Sequence, residues 1–144
     1  MNFEQARTNM VLNQLRANRI KNSSLIEKIE LFPRENLYPK SYKHLAYSDK
    51  IIFLDDGRFI LPPLTSFHLL QALGEIDDES ILEIGSGFGT STSIINKFSS
   101  NIDCIESSMQ MTEVFKNSIK DGLFNASLLD LSLIHISEPT RHCL

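Results

Sequence analysis

A glycine-rich stretch in the second half of the chain carries residue types that could bind a nucleotide. The segment SILEIGSGFGTSTSIINKF, residues 80–98, passes from an apolar strand pattern through closely spaced glycines into a helical pattern. Its candidate cofactor-binding residues are Gly85, Ser86, Gly87 and Gly89. Because glycine lets a ligand approach the backbone in the turn after a strand, the spacing predicts a cofactor-binding loop.

A carboxylate at the end of the next apolar run supports this interpretation. Glu106 closes the segment NIDCIE and follows Gly85 at the interval of about 20 residues that is typical of nucleotide-binding βαβ units. A carboxylate at that place can accept hydrogen bonds from ribose hydroxyls. We therefore expect Glu106 to bind a ribose.

The identity of the nucleotide depends on Glu83 and on the glycine spacing. The dinucleotide fingerprint is G-x-G-x-x-G/A, whereas this loop is G-x-G-x-G and continues with Thr90. Glu83 precedes the first glycine closely, and a carboxylate there repels a pyrophosphate and attracts a cation. S-adenosyl-L-methionine carries a sulfonium, an ammonium and a ribose but no phosphate, so we expect this cofactor. A dinucleotide and a purely structural glycine turn are the alternatives.

Alternating strand and helix patterns surround the loop and must position it. The strand-like runs are SILEI, NIDCIE and NASLLD, and the helix-like runs between them are TSTSIINKF and SMQMTEVFKNSIKDG. This alternation implies a parallel sheet with right-handed crossovers. The predicted fold class is therefore α/β and Rossmann-like, with Cys104 as a buried free thiol in the second strand.

The first half of the chain is predicted to be a helical cap with one hairpin. NFEQARTNMVLNQLRANRI has apolar residues at helical spacing, and NSSLIEKIELFP offers Ser24 and Glu27 as a capping box before Pro33 ends the helix. KSYKHLAY predicts a further short helix. KIIFLDDGRFILPP predicts a β-hairpin that turns at Gly57, and PLTSFHLLQALG predicts a helix that ends at Gly74.

The loop and the segments before it resemble one enzyme family. ILEIGSGFGTS resembles motif I of class I S-adenosylmethionine-dependent methyltransferases. Together with ARTNMVLNQLRANRI, LFPRENLYP and LAYSDK, it resembles the protein-L-isoaspartate O-methyltransferase family over residues 3–130. The resemblance implies methylation of the carboxylate of L-isoaspartyl residues in damaged proteins. It also implies a set of cofactor-binding residues: Glu83, Gly85, Ser86, Gly87 and Gly89 around the cofactor, Glu106 at its ribose and Asp130 near its adenine.

One position departs from the family pattern. Family members have a sequence like T-I-S-Q-P after the hairpin, with the serine in the active site, whereas this chain has FILPP and places Leu61 at that position. Leucine cannot hydrogen-bond an acceptor carboxylate. Thr65 or Ser66 could take over that function, or the two hydroxyls bond only to local backbone. The alternatives for the chain are therefore a methyltransferase of other specificity and a non-catalytic cofactor-binding remnant.

The sequence contains no evident catalytic base, and the catalytic residues stay unassigned. A carboxylate acceptor is already ionised at neutral pH and needs no base, whereas an amine or hydroxyl acceptor would need proton removal. Carboxylate methylation is therefore the preferred interpretation.

The C-terminal segment LSLIHISEPTRHCL differs from the pattern that precedes it. It resembles the translation of sequencing-adaptor DNA, so we expect residues 131–144 to be non-native and their histidines and cysteine not to be metal ligands. The expected organisation is a helical segment with a hairpin (1–74), the first part of the cofactor domain (75–130) and this tail. Because the family resemblance implies a seven-stranded sheet, we expect an incomplete fold of about three strands and an inactive chain.

Composition limits the partners and the compartment that we expect. The 144 residues carry a net charge of −4, which gives no electrostatic reason to expect nucleic acid. The sequence has no apolar run of about 20 residues that would predict a membrane span and no apolar leader. We expect a cytoplasmic protein that holds no metal and acts on proteins or peptides, and the oligomeric state is not predicted.

Overall fold

The N-terminal part of the chain forms the helical cap that the sequence predicts. The structure, a computed structural model, describes residues 1–129. A continuous helical segment comprises α1 (Phe3–Asn9), a π-helical stretch (Met10–Leu15) and a 3-10 turn (Arg16–Asn18). It begins where the side chain of Asn2 accepts a hydrogen bond from the N–H of Gln5 at 3.1 Å. Its apolar stripe is buried in the core: Met10, Val11 and Leu15.

The second helix, α2 (Ser23–Leu31), begins at a different residue from the one predicted. The predicted capping box is wrong, because Ser24 and Glu27 are both exposed residues within the helix. The N-cap is Asn22, whose Oδ1 accepts a hydrogen bond from the N–H of Leu25 at 2.9 Å. The extended backbone of Asn22 lets its side chain cover the first turn, so the helix has already begun at Ser24. The helix ends before the proline, as predicted.

A hairpin and a third helix connect the cap to the sheet. The elements are two 3-10 turns (Arg34–Leu37 and Lys43–Leu45), the antiparallel strands β1 (Ile52–Phe53) and β2 (Phe59–Ile60), and α3 (Pro63–Leu73). Gly57 occupies the hairpin turn with φ at 78°, in the left-handed region that favours glycine. The predicted hairpin and the helix that follows it are confirmed.

The second half of the chain forms a parallel sheet, which confirms the predicted alternation. Its strands β3 (Ile81–Ile84), β4 (Ile102–Ile105) and β5 (Ser127–Leu128) lie in the order β3-β4-β5, with α4 (Thr92–Ile95) and α5 (Met109–Lys120) in the crossovers. Helix α4 is shorter than predicted. After Ile95 the chain continues in tighter turns, in which the N–H of Lys97 donates to the carbonyl of Ile94 and that of Phe98 to the carbonyl of Ile95, both at 2.9 Å.

Strand β3 forms one edge of the described sheet, whereas β4 lies at its centre. The side chains of Leu82 and Ile84 on β3 are exposed, Ile84 to 75%. Cys104 on β4 is fully buried as a free thiol, as expected. The predictions that concern Asp130 and residues 131–144, namely the adenine contact and the non-native tail, lie outside the described residues.

Candidate functional site

The glycine loop follows β3 directly and turns sharply toward α4. Gly85, Gly87 and Gly89 all have positive φ, at 79°, 60° and 84°. The N–H of Gly85 donates to the carbonyl of Ile105 at 2.7 Å, and the N–H of Gly89 donates to the carbonyl of Ser86 at 2.9 Å. The loop is therefore tied to the end of the neighbouring strand and closed on itself.

The packing of two aromatic rings leaves no room for a side chain at the third glycine of the loop. A Cβ atom added at Gly89 would lie 2.5 Å from Cζ of Phe124 and 3.3 Å from Cδ2 of Phe115. These two rings pack edge-on at 4.9 Å between centroids and are both buried. Glycine at this position lets the loop lie directly on the aromatic pair, which gives a physical reason for the early third glycine.

Glu106 directly follows β4, and its carboxylate forms a hydrogen bond to the glycine loop. Its Oε2 accepts from the N–H of Gly87 at 2.8 Å, and its Oε1 accepts from the N–H of Ser108 at 2.8 Å. The guanidinium of Arg58, on the hairpin, forms an ion pair with Oε1 at 3.1 Å. The carboxylate side chain is completely buried, so these partners compensate for its loss of water.

Glu83 lies on β3 with its carboxyl group largely buried. The hydroxyl of Thr92 donates to its Oε2 at 2.5 Å, and the thiol of Cys104 lies 3.9 Å from the same oxygen. Burial raises the pKa of Glu83 to about 7; the hydrogen bonds from Thr92 and Cys104 lower it, and the charge of Glu106 adds to the increase. Burial, with the nearby charge of Glu83, also raises the pKa of the Cys104 thiol to about 12. Glu83 therefore titrates near neutral pH while Cys104 stays protonated.

A cavity of about 260 Å³ lies between the glycine loop on one side and β2, with the residues next to it and the start of α3, on the other. It brings together four of the six predicted site residues: Glu83, Gly85, Ser86 and Gly87. The side-chain oxygen of Ser86 is buried and has no hydrogen-bond partner within the described residues. Gly89 and Glu106 do not line this cavity. They shape the loop instead, through the contacts with Phe124 and Gly87.

Arg58 lines the cavity and pairs with Glu106, and it was not among the residues predicted from the sequence. The alternation of the hairpin gives no local signal for a contact with a strand end almost fifty residues away. Leu61 also lines the cavity, at the position where the resemblance implies a serine. Of the two hydroxyls that could replace this serine, Ser66 lines the cavity and is buried, whereas Thr65 is exposed and does not.

A second cavity, of about 270 Å³, lies between α2, α3 and α4. Its floor is apolar, with Leu25, Leu70 and Ile94, and it contains none of the predicted site residues. Within residues 1–129, no group of three or more His, Cys, Asp or Glu side chains is placed to hold a metal ion. None of the helices in this part of the chain has the length and apolar character needed to cross a bilayer. The glycine-loop cavity is therefore the candidate site.

The fold and the site together define a class of protein. A parallel β-α-β unit with a positive-φ glycine loop and a carboxylate closing the second strand is a Rossmann-like nucleotide-cofactor domain. The sequence model of the protein-L-isoaspartate(D-aspartate) O-methyltransferase family matches residues 6–131. The chain belongs to this family, which confirms the family predicted from the sequence.

Individual relatives and a solved structure agree with this assignment. A protein-L-isoaspartate O-methyltransferase of Protochlamydia amoebophila is 27% identical over 116 residues, which cover 81% of this chain and 55% of the relative. One from Sodalis glossinidius is 28% identical over 136 residues, 94% of this chain and 60% of the relative. One from Anaeromyxobacter is 33% identical over 92 residues, 64% of this chain and 38% of the relative.

A solved structure of a protein-L-isoaspartate O-methyltransferase superposes with a TM-score of 0.67 at 21% identity, covering 85% of this chain and 41% of that one. The predicted α/β, Rossmann-like fold class is thereby confirmed for the described residues. The chain spans between 38% and 60% of the length of these three curated relatives.

Proposed function

We propose that the glycine-loop cavity binds S-adenosyl-L-methionine and that the chain carries the cofactor-binding part of an enzyme that methylates L-isoaspartyl carboxylates in damaged cytoplasmic proteins. The observation that carries this proposal is the buried carboxyl group of Glu83 in the wall of a cavity formed by the glycine loop. A phosphate-bearing cofactor would be repelled there, and a cationic one attracted.

The residues of the loop fit a nucleoside with a cationic side chain. Glu83 has the charge for the ammonium or sulfonium group, and the unpartnered hydroxyl of Ser86 offers a hydrogen bond inside the cavity. Glu106 accepts three hydrogen bonds of the roughly four that a carboxylate can take. A ribose hydroxyl can use the remaining site while the hydrogen bonds from Arg58, Gly87 and Ser108 stay in place. We propose Glu106 as the ribose-binding residue on this basis.

The reaction makes modest demands on the protein. The bound donor would supply an electrophilic methyl group, and the acceptor carboxylate is ionised at neutral pH without help from a base. The contribution of the cavity is then to align a carboxylate oxygen with the methyl carbon and to exclude water, which favours a transfer that neutralises both charges.

The cofactor half of the proposal is tested by calorimetry with this chain. Saturable binding of S-adenosylhomocysteine, without binding of NADH, is the expected result. Binding of NADH without S-adenosylhomocysteine would establish the dinucleotide alternative. Methyl transfer to the acceptor is tested with a chimera in which residues 1–129 are followed by the C-terminal part of the Sodalis relative. We expect it to methylate an isoaspartyl peptide and not the aspartyl isomer, and the reverse preference would overturn this half alone.

A second candidate function is methyl transfer to a different acceptor. The observation that favours it is the side chain of Leu61 in the cavity wall, where the resemblance implies a serine. Comparing the chimera with its Leu61→Ser variant separates the two. A large gain in isoaspartyl methylation in the variant would show that the natural leucine serves another substrate.

A further inference from the structure

The glycine-loop cavity contains two charged side chains of opposite sign. Among its described lining residues these are Glu83 and Arg58. Glu83 is largely buried, whereas the side chain of Arg58 is 40% exposed. Because a cationic methyl donor would be drawn to Glu83, Arg58 is the lining residue with the charge to attract an anion.

Contacts of its backbone N–H and of its guanidinium hold Arg58 in position. Its backbone N–H donates to Oδ1 of Asp56 at 3.0 Å, and Oδ2 of Asp56 accepts from the hydroxyl of Ser108 at 2.6 Å. The guanidinium donates through Nη1 to the hydroxyl of Ser107 at 2.6 Å and through Nη2 to Glu106 at 3.1 Å. A long side chain that is already ordered loses less entropy when it binds a ligand.

The guanidinium of Arg58 keeps unused hydrogen-bonding capacity. Arginine has five N–H donors, of which two are engaged within the described residues. The positive charge of arginine and its planar set of N–H donors suit an anionic oxygen better than a neutral one, so the remaining donors favour an anionic ligand. Leu61, which lines the same cavity, offers no such bond.

We infer that Arg58 binds the carboxylate of the methyl acceptor in the glycine-loop cavity and thereby selects an anionic acceptor. This inference rests on the proposed function. The guanidinium holds one carboxylate oxygen while the other forms a bond to the methyl carbon. The carbon–sulfur bond breaks with its electron pair going to sulfur, so a carboxylate and a sulfonium become an ester and a thioether. No proton moves, and Arg58 acts as an anchor rather than as an acid or base.

The test compares two peptides that differ only at the carboxylate. One hexapeptide carries an L-isoaspartyl residue with a free α-carboxyl group, and the other carries the same residue as the α-carboxamide. Binding of each to the full chain is measured by fluorescence anisotropy with saturating S-adenosylhomocysteine. We expect the wild-type chain to prefer the carboxylate peptide by about tenfold or more, as for a charge-assisted hydrogen bond, and Arg58→Gln to bring this ratio close to one.

Two further variants control the ratio of carboxylate to carboxamide affinity for misfolding and for a general loss of positive charge. Arg58→Lys keeps the positive charge but not the planar set of N–H donors, so it should retain part of the preference for the carboxylate peptide. A retained preference rules out a loss caused only by misfolding. Arg16→Gln removes the charge of an exposed arginine that pairs with Glu30 far from the site, and should keep the full preference. The inference is overturned if Arg58→Gln retains the wild-type ratio, or if the wild-type chain binds S-adenosylhomocysteine but does not distinguish the peptides. Failure to bind S-adenosylhomocysteine overturns the proposed function as well.

Discussion

The backbone N–H of Gly87 donates to Oε2 of Glu106 at 2.8 Å, which joins the middle of the glycine loop to the end of β4. The carboxylate proposed to bind a ribose therefore also holds the loop that forms the cavity. Since Glu106 is completely buried and has partners on both oxygens, loop shape and ribose binding depend on the same side chain.

Replacing Glu106 with alanine should weaken binding of S-adenosylhomocysteine. The expected loss is about 1.5–3 kcal/mol, as for a lost charge-assisted hydrogen bond, and calorimetry measures it directly. Amide exchange at Gly87 should also become faster, because its N–H loses its acceptor. Glu113→Ala, on the exposed side of α5, is the matched control and should leave both quantities unchanged. Unchanged affinity in the Glu106 variant would mean that another residue binds the ribose.

Binding of a cationic donor should depend on pH through Glu83. Its pKa lies at about 7, mainly because the carboxyl group is buried, and only the ionised form attracts a cation. The affinity for S-adenosylmethionine should therefore be constant above pH 7 and fall by about tenfold for each unit below it. Of the side chains that contact the Glu83 carboxyl group, Thr92 does not ionise, and burial raises the pKa of Cys104 to about 12, so its thiol keeps its proton over the whole range. Calorimetry between about pH 5.5 and about pH 8.5 measures the profile.

The Glu83→Gln variant supplies the control and a second readout. Its affinity should be independent of pH and as weak as that of the wild-type chain at low pH. Glu83 has a pKa of 4.5 when exposed and about 7 in the fold, so the folded chain binds its proton more tightly. Its stabilising contribution is present below pH 4.5 and is lost as the pH rises to 7, a change of about 3 kcal/mol. The variant should therefore gain stability over the wild type as pH increases, measured by urea unfolding, and an opposite trend would contradict the burial of this carboxylate.

Gly89→Ala should destabilise the chain more than alanine at another positive-φ glycine. Its Cβ would lie 2.5 Å from a ring carbon of Phe124, and its φ of 84° is strained for any L side chain. Overpacking and backbone strain together should cost about 2–4 kcal/mol in urea unfolding. Gly57→Ala is the matched control, since its φ is 78° but nothing lies within 4 Å of the added atom, and it should cost about 1–2 kcal/mol. Equal losses would show that Phe124 moves aside freely.

The parts of the fold that could be predicted from sequence are those set by local patterns. The alternation of β3, β4 and α5 was predicted from apolar runs separated by turn residues, and the loop was predicted from its closely spaced glycines. The start of α2 was mispredicted because NSSLIE offers several capping residues in a row. The choice of Asn22 over Ser24 depends on the backbone conformation that leads into the helix.

The chemistry of the site was less predictable, because it depends on contacts between distant segments. The position of Glu83 was evident from the sequence, but its pKa depends on burial and on the hydroxyl of Thr92. The pairing of Arg58 with Glu106 joins residues that are 48 positions apart, and no periodicity encodes it. Sequence patterns therefore identified the loop, whereas the charges that face the cavity required the structure.

A buried cluster in the cap should make a measurable contribution to stability. The hydroxyl of Tyr47 donates to Oε2 of Glu35 and accepts from Nε of Arg7 at 3.1 Å, and burial, with the bond to Glu35, raises the pKa of Tyr47 to about 12. Tyr47→Phe leaves the buried carboxylate of Glu35 with one hydrogen-bond partner fewer. It should lower the free energy of unfolding by about 1–3 kcal/mol, measured by urea unfolding at about pH 7. Tyr42→Phe is the matched control, because Tyr42 is a partly exposed tyrosine outside this cluster, and it should change stability by less than about 0.5 kcal/mol. Similar losses in the two variants would mean that the cluster adds nothing beyond the packing of a ring.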